Sequence, residues 1–236
     1  MQPTTLDFIG IREERQNQND KIVFDSIKNS NFDLFKKSIN NDKYKLWLNK
    51  LNTSKEEIFL KCQTDDMFCL LFSGIISKIS SRQGSRDEQK QLEVCNNISQ
   101  HYGIIIENLS NDGLRPTVDG EIITKSEMIS RNIPKDCTLK SFDARINGVI
   151  NGFLSAKVVM GSGGHQDNVF MEIDELANWW KTFKSISPEI LVLLIDTNLN
   201  RKFDKIKEKY RDVSNIKVFN HITFQNYIIE NYQILN

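Results

Sequence analysis

Cysteine and histidine are scarce in this chain, net charge is absent, and no long hydrophobic run occurs. Each absence removes a class of protein. The four cysteines, Cys62, Cys69, Cys95 and Cys137, have no CxxC spacing and are too sparse to staple a small secreted scaffold. Buried, reduced thiols of a cytoplasmic protein are the expectation. The three histidines, His101, His165 and His221, stand far apart in the sequence, so no zinc-ligand cluster is visible. Lys plus Arg equals Asp plus Glu at 31 each, and charge alone therefore names no partner. A neutral nucleic-acid binder would have to segregate its basic residues on one face. The longest apolar run, ILVLLI at 190–195, is too short to cross a membrane and reads as a buried strand. The first twenty residues lack the apolar core of a secretory signal, so neither export nor membrane insertion is expected. The glycine-rich GSGGHQD lacks the GK[ST] of a nucleotide P-loop.

What is present suits a globular chain. With 236 residues, 39% of them hydrophobic and 26% charged, a substantial core can form in one large domain or a main domain with an appendage. Residues 1–102 read as a helical region packed on the core. IVFDSIKNSNFDLFKKSI and YKLWLNKL space apolar residues by three and four, and DDMFCLLFSGIISKIS reads as a buried helix. Residues 103–236 read as an α/β core. YGIIIEN, KSFDARI and FLSAKVV are strand-like, VFMEIDELANWWKTF is helical, and EILVLLID, KFDKIKEKY, IKVFN and TFQNYIIENY alternate strand with helix. The order predicts a mixed β-sheet flanked by helices.

Chemistry concentrates around residues 142–173. Two Asn-Gly pairs, Asn147-Gly148 and Asn151-Gly152, signal a hairpin. Centred between Val149 and Ile150, it sets Asp143 opposite Ala156 and Lys157, with Ser155 and Lys157 on one face. An edge-strand ion pair accounts for Asp143 and Lys157; so does a metal site, in which a carboxylate ligates Mg²⁺ and the lysine stabilises developing negative charge. Glu172 and Glu175 share one face of the following helix, and Glu172, expected in its first turn, is the next acid able to reach the hairpin. Acids in a first turn also serve the helix dipole.

Asp143, then Ser155-Ala156-Lys157, then Glu172 resembles the PD-(D/E)xK nuclease core, in the variant of some type II restriction endonucleases where a downstream helical glutamate replaces the acid two before the lysine. LKSFDARI, SAK and GGHQDNVF extend the likeness over about residues 138–196. Two departures stand out: Phe142 precedes the aspartate where proline is usual, and Ser155 occupies the place of the acid. The resemblance implies a restriction-endonuclease-like fold and Mg²⁺ held by Asp143, Glu172 and the Ala156 carbonyl. Lys157 would act at the phosphate or lower the pKa of the attacking water, and Ser155 belongs to the same catalytic group. It also implies hydrolysis of double-stranded DNA to 5′-phosphate ends by a homodimer in a prokaryotic cytoplasm, with a cognate DNA methyltransferase. A nuclease of the same superfamily working in repair or mobile-element processing, or a non-catalytic DNA-binding protein, are the alternatives.

Two polar stretches extend the candidate list. In SGGHQDN, residues 162–168, Asp167 or Asn168 can cap the next helix, while His165 and Gln166 are left to contact phosphate or a base edge. In SSRQGSRDEQ, residues 80–89, Arg82, Gln83 and Arg86 are candidate DNA contacts; Glu88 could orient the arginines or reach the metal site. An exposed helix junction explains the same stretch. Asp196, ending ILVLLID, lines an active-site edge or caps the helix beyond it. Trp179 and Trp180 serve the core or a subunit contact.

Overall fold

The computed structural model describes residues 2–38, 48–50, 52–80, 83–109, 113–160 and 164–234, without the side chains of 38, 78–80, 83–84 and 164–166. The chain divides into two compact units, Asp7–Gln83 and a larger one formed by the N-terminal residues up to Leu6 with Gly84–Asn236. The boundary therefore falls at 83/84, not at the 102/103 change of composition. The helix 83–99 looks like its helical predecessors in sequence, yet its apolar face belongs to the sheet's core.

The smaller unit is helical: α1 (Phe8–Lys28), α2 (Phe32–Ser38), α3 (Lys55–Thr64) and α4 (Asp66–Ser80). A capping box starts α3, with Ser54 accepting from the Glu57 amide and the Glu57 carboxylate returning to the Ser54 N–H. Phe35, Ile58, Cys62, Cys69, Phe72 and Ile76 form its core. Helix α4 is buried on that one face alone. Met67, Leu70, Leu71 and Ile75 are exposed, so this helix is not wholly buried as its apolar sequence suggests.

In the larger unit, α5 (Gln83–Ser99) leads to β1 (Ile104–Asn108). An excursion follows with β2 (Arg115–Pro116), β3 (Ile122–Ile123) and α6 (Lys125–Ser130). Then come β4 (Ala144–Gly148), β5 (Gly152–Val159), α7 (Gly164–Phe183), β6 (Ile190–Thr197), α8 (Asn200–Lys209), β7 (Ile216–Phe219) and α9 (His221–Asn231). The expected mixed α/β class is present: a five-stranded sheet ordered β1-β4-β5-β6-β7. Its β1–β4 and β4–β5 pairs are antiparallel, while β5–β6 and β6–β7 are parallel and joined through α7 and α8. Strand β5 thus stands where the sheet changes sense.

Alternation along β5 sorts its side chains between two apolar layers. Phe153 and Val159 pack with Ile173, Leu176 and Trp180 of α7, and with Ile206 of α8. Leu154 and Ala156 pack with Leu92, Cys95 and Ile98 of α5, and with Phe224 and Ile228 of α9. Phe142 stacks on Phe153 at 4.4 Å and meets Trp180 edge-on, so the residue before Asp143 is anchored in the core. Trp179 and Trp180 are both core residues. Among the described residues no helix is long and apolar enough to cross a membrane.

Candidate active site

Hairpin register determines which side chains meet. Ala144 stands opposite Leu154 and Ile146 opposite Gly152, so the loop centres on Val149 and Asp143 falls opposite Ser155, one residue short of the expected pairing. Gly148, at φ 117°, sits in the turn where a Cβ would lie 1.9 Å from the Gly103 carbonyl oxygen. The chain can make that turn beside β1 only with glycine. The Asn-Gly pairs mark the hairpin without supplying the two-residue turn they usually form.

Asp143 extends β4 by one step, its N–H donating to the Leu154 carbonyl at 2.9 Å and its carbonyl accepting from Leu109 at 3.0 Å. Its side chain therefore points along the face shared by Ser155 and Lys157. Three donors converge on Oδ2: the Ala156 N–H at 2.8 Å, Lys157 Nζ at 2.9 Å and Ser155 Oγ at 3.3 Å. The same ammonium donates to the Ala156 carbonyl at 2.7 Å. Glu88 reaches it from α5, with Oε1 3.8 Å from Nζ. A positive charge thus lies among two carboxylates and a carbonyl oxygen.

The electrostatics follow from that crowding. Burial works against the Lys157 charge, but Asp143, Glu88 and the more distant Glu172 more than offset it, so its pKa is raised. Glu88 moves the other way: burial above all, then the Asp143 and Asp87 charges, push its carboxyl up to about 7 against the pull of Lys157 and Lys140. One acid of the cluster is thus held well above the ordinary carboxylate range.

Glu172 is not in a first turn. Helix α7 begins at Gly164, so Glu172 stands well inside it. Its carboxylate is 3.6 Å from Lys140 Nζ and near enough to Lys157 for its charge to act there. Lys140 was missed by sequence reasoning; lying three residues before Asp143 on the same approach to β4 was the available signal.

The remaining candidates separate. Asp167 and Asn168 lie within α7 and do not cap it; Asp167 pairs with Lys202 of α8. His165 and Gln166 are in the helix's first turn and not in a loop, and their side chains are outside those described, as are Ser162 and Gly163. Arg82 also lies outside the described residues, Gln83 begins α5, and Arg86 is exposed on its first turn. Asp196 neither lines this site nor caps α8, whose N-cap, Leu199, makes no side-chain bond. It is buried on the other face, accepting from Gln91 Nε2 at 2.6 Å and bonded to His221 Nδ1 at 2.7 Å.

Could this cluster hold a divalent metal? Asp143, Glu88 and the Ala156 carbonyl are hard oxygen donors already gathered around one cation, the Lys157 ammonium, which suits Mg²⁺ in kind. Among the described residues no three His, Cys, Asp or Glu side chains close on a single point. An ion here would take two or three protein oxygens and complete its shell with water and substrate, as Mg²⁺ commonly does. Comparison with protein-family models, with curated proteins and with solved structures finds no match to this chain.

Proposed function

We propose that this chain is a Mg²⁺-dependent DNA endonuclease of the PD-(D/E)xK kind, acting as a restriction enzyme that makes site-specific double-strand cuts. The observation that supports it most is the meeting of Asp143, the Ala156 carbonyl and Lys157 on an antiparallel hairpin with Glu88 from α5, and with Glu172 on the helix that follows the hairpin. A helix, three antiparallel strands, a crossover helix and a parallel strand, in that order, agree with this reading. The fold alone would not carry it.

In this mechanism Asp143 and the Ala156 carbonyl would hold the ion together with Glu172 from α7, and Glu88, already beside Lys157, would be a further acid within reach. When bound, Mg²⁺ neutralises charge on the phosphate and makes water a better nucleophile near neutral pH. Lys157 remains protonated because acids surround it, so it acts as a fixed positive charge beside the pentavalent phosphate and not as a base. Ser155 keeps Asp143 aimed, through its hydroxyl, and needs no charge to do so. Products carry 5′-phosphates. A homodimer on a two-fold symmetric site, a prokaryotic cytoplasm and a partner methyltransferase accompany the restriction reading.

The test is direct. Purified protein is incubated with unmethylated phage DNA and Mg²⁺, and the ends are mapped. A discrete band pattern supports the restriction reading, degradation from ends points to a repair or mobile-element nuclease, and intact DNA with tight binding points to a non-catalytic module. Lys157→Ala should abolish cleavage while Ca²⁺-supported DNA binding persists.

A further inference from the structure

A cleft of about 730 Å³ opens beside the cluster, sharing Glu172 and Lys140 with it. One wall is the excursion between β1 and β4, contributing Arg115, Lys135, Thr138 and Lys140; the other is α7. We infer that this cleft is the path of the nucleic-acid strand next to the scissile phosphate, with Arg115, Lys135 and Lys140 contacting its phosphodiesters. This rests on the nuclease reading and adds to it where the substrate lies.

Three features carry the inference. First, charge is sorted between the walls. The excursion side bears three cations against the single acid Asp136, while α7 bears Glu172 and Glu175. A polyanion is drawn to one wall and held off the other except at Glu172, where the proposed ion sits. Second, Arg115 Nε is buried without a hydrogen-bond partner among the described residues. An unpaired Nε–H is costly where it lies, and a half-buried guanidinium that turns into the cleft would find its natural acceptor in a phosphate oxygen.

Third, the cationic wall is built and not a loose loop. Phe142 donates to the Leu114 carbonyl and Leu139 to that of Pro116, each at 2.9 Å, and Val118 donates to the Cys137 carbonyl at 3.0 Å. The Trp179 indole N–H, 2.6 Å from the Thr117 carbonyl, ties this wall to α7. Gly120, at φ 90°, presses on Phe183, where a Cβ would come within 2.6 Å of the ring. Such a frame holds its cations in place before substrate arrives, which lowers the ordering cost of binding.

Phosphate contacts are read through salt dependence. A fluorescein-labelled random-sequence duplex is titrated with full-length protein in Ca²⁺, over a series of salt concentrations, by anisotropy. Lys135→Met, at an exposed position, and Arg115→Met should each weaken binding by about tenfold and lower the salt slope by about 1, equally for all sequences. Arg115→Lys should recover part of the loss. Unfolding midpoints of the variants, matching the parent, separate lost contacts from lost structure. Unchanged affinity and slope in both methionine variants, with the parent binding well, would overturn the cleft as strand path and leave the nuclease reading standing. Failure of the parent itself to bind duplex at low salt would overturn both.

Discussion

Two polar clusters flank the same pair of strands, and they are built in opposite ways. Lys157 stands opposite Ile195 and Val158 opposite Asp196 in the parallel β5–β6 register, so the clusters are neighbours on opposite faces of the sheet. Helix α5 serves both, Glu88 reaching Lys157 and Gln91, one turn on, reaching Asp196. Around Asp196 each donor is neutral. Gln91 Nε2 and His221 Nδ1 donate to the carboxylate, while His221 Nε2 accepts from the Leu6 N–H at 3.0 Å, which fixes the ring's tautomer. Only the Gln91 side-chain oxygen lacks a partner among the described residues. Around Lys157, formal charges compete: one ammonium serves several acids, and Glu88 is driven toward its neutral form. A balanced buried network stabilises a fold. A crowded one that a further cation would relieve belongs to binding or catalysis.

The sharpest way to break that contrast is Asp143→Asn. It removes the carboxylate on which three donors converge, and cleavage should fall by at least about 10²–10³-fold, the usual scale for a charge-stabilising group. Survival of cleavage would move the reactive centre elsewhere. Asp196→Ala attacks the other cluster. It strands a buried imidazole and a buried amide, each costing about 1–3 kcal/mol when left unpaired, so stability should drop by roughly 2–5 kcal/mol in urea unfolding, while the cleavage rate per folded molecule is unchanged. Loss of cleavage in fully folded protein would mean the clusters are not separate.

How much of this difference could be read in the sequence follows from the same chemistry. Strands and crossover helices were legible because β-branched runs and apolar spacing report local preference and burial together; β4, β5, α7 and β6 follow one another as expected. The hairpin pair Asp143 and Lys157 was legible because period-two geometry limits where strand side chains go. What escaped depended on contacts across the chain. Asp196 looks like a strand-end acid until His221 and Gln91, 25 and 105 residues away, are brought to it. Glycines at 163 and 164 suggested a loop, yet α7 starts at Gly164, so five residues of the expected loop are helix. The division at 83/84 was hidden because α4 and α5 are both amphipathic helices, and nothing in either states which core its apolar face joins.

Glu88→Gln sharpens the contrast through pH in metal-free buffer. Because the folded-state pKa is raised to about 7 from 4.5, the native state holds a proton that the unfolded chain releases between those values. Stability therefore falls as pH rises from about 4.5 to 7, and the cost is fully present above 7. Glutamine removes it. The variant should be more stable than the parent at pH 8 by roughly 1–3 kcal/mol, little changed at pH 4.5, and, once Mg²⁺ is added, poorer in cleavage. A variant less stable at pH 8 would show that the Glu88 charge is compensated after all.

The smallest effect tests the balanced cluster at its edge. Gln225 on α9 accepts from the Thr4 N–H at 2.8 Å and donates to the Thr4 carbonyl at 3.0 Å, bridging to the His221 carbonyl as well. It holds residues 4–6 where Leu6 can meet His221 Nε2. Gln225→Ala removes those bonds, yet the Thr4 backbone, only partly buried, can turn to water, so the loss should be about 1 kcal/mol and not the several expected at Asp196. Hydrogen exchange at the Leu6 amide should quicken while that of Ala156, bonded to Asp143, stays as it was. If Ala156 quickens too, the two faces of the sheet are coupled through β5 and β6. The structural network would then be a support of the charged site and not merely its neighbour.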